Sequence, residues 1–228
     1  MKRIALLLGI YFFTSCYLPL FAQSNNWGLW TSIDAEKKLP NNWELNIAAQ
    51  YRWKDNISVT DQIRGSADIY RKLGRFVELG AGYELIAQKN ATQNMFVYRN
   101  RFRVQSRFSY NFAQFTADWR ARMQLTMMEK ENERIGFSFD DEYNIWVLRN
   151  RFRLRYNIIK IPLQPYISFE IFHQLFSDLE NSYFQNRLTL GTNYKINNQH
   201  SVALDYILET RINISNRSIV RIGYAYSF

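Results

Sequence analysis

Between Trp43 and Trp53 the side chains alternate in character. Trp43, Leu45, Ile47, Ala49, Tyr51 and Trp53 share one face, and Glu44, Asn46, Ala48, Gln50 and Arg52 the other. A period of two is that of an extended strand with one apolar and one mostly polar side. The same period returns along the whole chain. Val77, Leu79, Ala81, Tyr83 and Leu85 alternate with Glu78, Gly80, Gly82 and Glu84. Phe96, Tyr98, Phe102, Val104 and Phe108 oppose Arg99, Arg101, Arg103, Gln105 and Arg107. Residues 114–127 set Phe115, Ala117, Trp119, Ala121, Met123, Leu125 and Met127 against Gln114, Thr116, Asp118, Arg120, Arg122 and Gln124. Leu148, Phe152, Leu154 and Tyr156 face away from Arg149, Arg151, Arg153 and Arg155. Val220, Ile222, Tyr224, Tyr226 and Phe228 end the chain on one side. Such a chain folds into sheets.

Eleven candidate strands result: 27–36, 42–54, 61–72, 76–87, 95–109, 113–128, 146–158, 164–176, 183–195, 199–211 and 217–228. Short turns alternate with longer connections, so one end of the fold carries hairpins and the other carries loops. The pattern predicts a single antiparallel up-and-down β-barrel of 10–12 strands over residues 23–228. Bacterial single-chain barrels have even strand numbers and both termini on the periplasmic side. The first candidate then runs the wrong way, and the count becomes ten or twelve.

Alternation alone does not say which face is inside. A soluble barrel turns its apolar face inward, and a membrane barrel turns it toward lipid. Three features favour lipid. Most candidates have at least the roughly ten residues that a tilted strand needs to cross a bilayer. Aromatic residues mark strand ends, as interfacial girdles do: Trp27, Trp30, Trp43, Trp53, Tyr83, Phe108, Tyr110, Tyr156 and Tyr194. The terminal face of Ile222, Tyr224, Tyr226 and Phe228 resembles the C-terminal assembly signal of Gram-negative outer-membrane proteins. The expected partners are therefore outer-membrane lipid and the barrel assembly machinery.

The start of the chain fits export. Lys2 and Arg3 precede an apolar run from Ile4 to Phe13, and Ala22 offers a cleavage site, so residues 1–22 read as a signal peptide. Lipid attachment at Cys16 is the other reading, although Phe13-Thr14-Ser15 is a poor match for it. Cys16 is the only cysteine, which excludes a disulfide framework.

On the polar faces, ten arginines gather on three consecutive strands: Arg99, Arg101, Arg103, Arg107, Arg120, Arg122, Arg149, Arg151, Arg153 and Arg155. In a membrane barrel they form a basic wall of the lumen. Asp68, Glu78, Glu84, Asp118, Glu170, Asp205 and Glu209 share that interior, most of them as an opposing wall. Two readings follow: an anion-attracting pore, or a structural plug of mutually neutralised charges.

Catalysis is not expected. Ser168 is five residues from His173 and therefore on the opposite face, while His200 lies beside a turn. No metal-binding or phosphate-loop motif occurs, so no cofactor and no metal is expected. The acidic stretch of Glu129, Glu131, Glu133, Asp140, Asp141 and Glu142 lacks the spacing of a calcium loop. The net charge of +9 does not point to nucleic acid, because the arginines alternate within strands and share a face with acids.

A family resemblance rests on specific residues. The opening tryptophan strand, the turns Lys37-Lys38-Leu39 and Arg71-Lys72-Leu73, the Arg-x-Arg ladder and the strand Pro165-Tyr166-x-Ser168-x-Glu170 carry it. Together they resemble a family of small Gram-negative outer-membrane β-barrels known only as a domain of unknown function. The resemblance implies a fold and a location and no activity. The expected role is structural, or passive passage of small solutes, anions among them. The alternatives are a lipid-modifying barrel enzyme and a soluble periplasmic barrel that holds an apolar ligand.

Overall fold

A computed structural model describes residues 26–90, 95–128, 144–176, 183–212 and 214–228. The expected signal peptide and the acidic stretch at 129–142 lie outside the described residues. The strands are β1 (Trp27–Leu39), β2 (Trp43–Lys54), β3 (Val59–Leu73), β4 (Val77–Lys89), β5 (Phe96–Phe112), β6 (Phe115–Met128), β7 (Asn144–Tyr156), β8 (Leu163–Leu175), β9 (Tyr183–Lys195), β10 (His200–Arg211) and β11 (Ile214–Ser227). Each pairs with its sequence neighbours, and the sheet closes into a barrel.

Among the described residues the count is eleven, neither ten nor twelve. The first candidate is a full strand, and β1 closes against β11 in parallel, from Trp27 opposite Ser218 to Glu36 opposite Ser227. With an odd number of alternating strands the first and last must run the same way. Parallel pairing is only slightly less stable per residue. Trp27 and Phe228 therefore lie at opposite rims, which corrects the expectation that both ends share one side.

Left-handed backbone shapes several turns. Asn41 and Asn42 adopt φ of 57° and 63° between β1 and β2, a region that asparagine tolerates well. Gly74 adopts φ of 71° between β3 and β4.

The barrel is inside-out relative to a soluble protein. Ile33 is 64% exposed and Ile47 54%, while Asp205 and Glu209 inside are each 1% exposed. The shortest strands have 12 residues. At about 3.3 Å per residue and a tilt of about 45°, that spans roughly 28 Å, enough for an apolar band about 25 Å tall. This is a membrane-spanning barrel. Its polar lumen overturns the alternative of a soluble barrel with an apolar cavity.

Ring contacts form a band at the hairpin rim. Phe76 meets Phe108 and Tyr110, each at 5.9 Å, Phe112 meets Phe115 at 5.6 Å, and Phe115 meets Tyr156 at 5.0 Å. Trp30 does not belong to a girdle. It is 3% exposed and lies inside, because an odd step from Trp27 reverses its face.

Candidate functional site

The register assembles the lumen in rows. One row runs Glu78, Arg107, Arg120, Arg151, Glu170, Arg187, Glu209 and Arg217 on β4 to β11, each residue paired with the next across the sheet. The next holds Gln105, Arg122, Arg149 and Phe172. Arg120 faces Arg151 and Arg122 faces Arg149, so β6 and β7 carry a two-by-two block of arginines. Like charges directly opposite one another are destabilising and need compensation.

Glu170 supplies part of it. Arg120 Nη2 donates to Glu170 Oε1 at 2.7 Å and Arg149 Nη2 to Oε2 at 2.9 Å. Elsewhere Arg101 pairs with Glu84 at 2.8 Å, Arg107 with Glu78 at 3.1 Å and Arg155 with Asp118 at 2.9 Å. Glu209 accepts from Arg187 at 2.6 Å and pairs with Arg211 at 2.5 Å. The acids thus do not form an opposing wall. Most sit on the same strand as their arginines, on an adjacent one or one strand removed, and Asp61 on β3 reaches Arg217 on β11 past β2 and β1, so the pairs run along the wall.

Two glycines permit the longer pairs. Gly82 lies between Asp68 and Arg103 in the register, and the carboxylate reaches over it to the guanidinium. Gly191 lies likewise between Tyr166 and Asp205, whose hydroxyl and carboxylate join above it and meet Arg221. A Cβ at either glycine would collide with the acid.

Aromatic faces hold further guanidiniums. Arg52 lies 3.7 Å from the Trp30 ring centre, Arg149 4.6 Å from that of Phe172 and Arg153 4.7 Å from that of Tyr166. Cation–π contact of this kind stabilises a charge without neutralising it.

Three cavities of ≈ 480, ≈ 310 and ≈ 400 Å³ lie along the lumen and share lining residues in sequence. Arg64, Glu84, Arg153 and Arg221 line both the first and the middle one. Trp30, Arg52, Arg149 and Arg187 line both the middle one and the third. Ten arginines and four acids line the middle cavity among the described residues. Eight arginines and two acids line the third, toward the loop end.

All ten ladder arginines point inward. Arg99 and Arg101 line the loop-end cavity, and Arg103, Arg120, Arg122, Arg149, Arg151 and Arg153 the middle one. Arg107 and Arg155 are held by their acids toward the hairpin rim. The sequence reading missed Arg52, Arg64, Arg187 and Arg217 as members of the same charge system. All four have the parity of inward residues, but they lie on strands without an arginine run. It also missed the buried aromatics Tyr166 and Phe172, which keep the inward parity of Ser168 and Glu170.

Most other singled-out residues lie outside the lumen, although Tyr224 also borders the first cavity. His173 faces outward beside Tyr183, with ring centres 6.0 Å apart, whereas Ser168 is buried inside. Ile222 is 49% exposed on the outer face and Phe228 67% at the rim. Tyr224 meets His200 Nδ1 at 2.5 Å, and the Tyr226 ring packs edge-on against Phe228.

The chain has a distant likeness to two solved structures. The β domain of the Bordetella autotransporter BrkA is 13% identical over 83% of this chain and 86% of that one, with a TM-score of 0.48. An anion-selective porin from Comamonas acidovorans is 10% identical over 84% of this chain and 53% of the porin, with a TM-score of 0.38. No curated protein matches the sequence. A family model described as "Protein of unknown function (DUF2490)" matches residues 27–220. With most of its length, and ten of its eleven strands entire, inside that match, the chain belongs to the DUF2490 family.

Proposed function

We propose that this protein is a Gram-negative outer-membrane barrel through whose lumen small anions pass. The observation that carries the reading is the series of three lumen cavities, neighbours sharing lining residues, with arginine in excess at its middle. A charged lumen in low-dielectric walls concentrates counter-ions. The ion pairs leave this excess in place, because they tie nearby strands together and do not neutralise every guanidinium. Arg52, Arg122, Arg151 and Arg153 have no carboxylate oxygen within 4.0 Å among the described residues, since none of them takes part in a salt bridge. The test is current across a planar bilayer under a KCl gradient. A reversal potential with the sign of chloride preference is expected. Absence of current would leave the structural plug as the reading.

Location is tested separately. The protein should fractionate with outer membranes and change gel mobility on heating. Deleting Phe228 should sharply reduce this heat-modifiable form. That ring is mostly exposed at the rim and adds little to the packing of the finished barrel. An unchanged amount would show that the terminal aromatic is not read during assembly.

A further inference from the structure

The arginine block on β6 and β7 is paired along only one diagonal. Arg120 and Arg149 converge on the two oxygens of Glu170. Arg122, on the other diagonal, donates from Nε and Nη2 to the neutral Gln105 Oε1, at 2.8 and 2.6 Å. Arg151 makes no ion pair among the described residues, and its buried Nε, like those of Arg120 and Arg149, has no hydrogen-bond partner among them. All four side chains line the middle cavity. Of the four guanidiniums in the block only two therefore contact a carboxylate among the described residues, and cross-strand neighbours of this kind have Cβ atoms about 4.5–5.5 Å apart. The Glu170 carboxylate already demonstrates that two side chains of the block can hold the two oxygens of one anion.

We propose that Arg122 and Arg151, with the rest of the block, form a binding site for a divalent tetrahedral oxyanion such as hydrogen phosphate or sulfate. The guanidinium fork matches the oxygen spacing of such an ion, and several forks can share its four oxygens. A divalent ion also offsets the excess of the block better than chloride does. The ≈ 310 Å³ cavity has room for an ion of this size. The proposal deepens the reading of the lumen as an anion path by naming the anion class held at its middle.

The experiment uses the full-length folded protein in detergent, titrated with sodium phosphate, sodium sulfate or sodium chloride at matched ionic strength. Phosphate or sulfate should raise the thermal unfolding midpoint saturably, while chloride should not. In the Arg122→Gln, Arg151→Gln double variant the affinity should fall by roughly tenfold or more, as expected for losing charge-assisted hydrogen bonds. Neither substitution leaves an acid unpaired, so the barrel should still form, and heat-modifiable mobility checks this. Arg122→Gln alone serves if the double variant does not fold. No saturable shift with either oxyanion, or a variant that binds as the parent does, would overturn the site. Bilayer currents separate this from the wider reading. Chloride-selective current untouched by phosphate removes the site and keeps the path. Oxyanion binding without current keeps the site and removes the path.

Discussion

Replacing Glu170 with alanine is expected to destabilise the folded barrel by about 3–5 kcal/mol, the range for breaking a buried charge pair. Glu170 is 5% exposed and holds Arg120 and Arg149 directly, with Arg187 at 3.7 Å. Its removal leaves Arg120 and Arg149 with no carboxylate partner among the described residues, while Arg187 keeps Glu209. The loss is mainly the cost of the arginines left behind. Glu170→Gln should therefore be less damaging, because an amide oxygen still accepts one hydrogen bond. High salt should recover part of the alanine loss by screening the repulsion. The measurement is urea unfolding in detergent micelles. A loss below about 1 kcal/mol, in the range of solvent-exposed pairs, would mean that water solvates these arginines well enough to make Glu170 dispensable.

The strands were legible because period two survives in almost every segment, and their boundaries follow from it. Parity also assigned the ten ladder arginines to one interior. What parity could not reveal was the partner of each charge. Asp68 reaches Arg103 over β4, and only the register with Gly82 between them makes that pairing visible. The parallel closure was hidden for another reason. It depends on the first segment being a complete strand, and a rule about even strand numbers argued against it. Trp30 was misread because tryptophan at a strand end suggests an interface. Its neighbours decide otherwise: Arg52 and Arg187 both lie over its ring inside the lumen. Aromatic residues on a polar face look like breaks in the pattern until their cationic partners are seen.

Ile47 and Ala48 are consecutive residues in the middle of β2, and arginine at each should have very different consequences. Ile47 is 54% exposed on the outer face, between Ala35 on β1 and Ala67 on β3. Arginine there would meet hydrocarbon near the midplane, and the flanking alanines offer it neither cover nor a partner. The expected cost is about 2–4 kcal/mol. Ala48 points the other way and lines a lumen cavity, directly opposite Asp34. Arginine at 48 would enter a polar space beside a carboxylate, and its cost should stay well under that at 47. Folding into lipid vesicles, followed by urea titration, measures both. The two substitutions add the same side chain one residue apart, so chain length and net charge cancel in the comparison. The lost β propensity of isoleucine over alanine is about 1 kcal/mol at most, less than the difference expected from the face. Equal costs would mean that the apolar side of β2 does not meet lipid, and the membrane-spanning orientation of the barrel would fall with it.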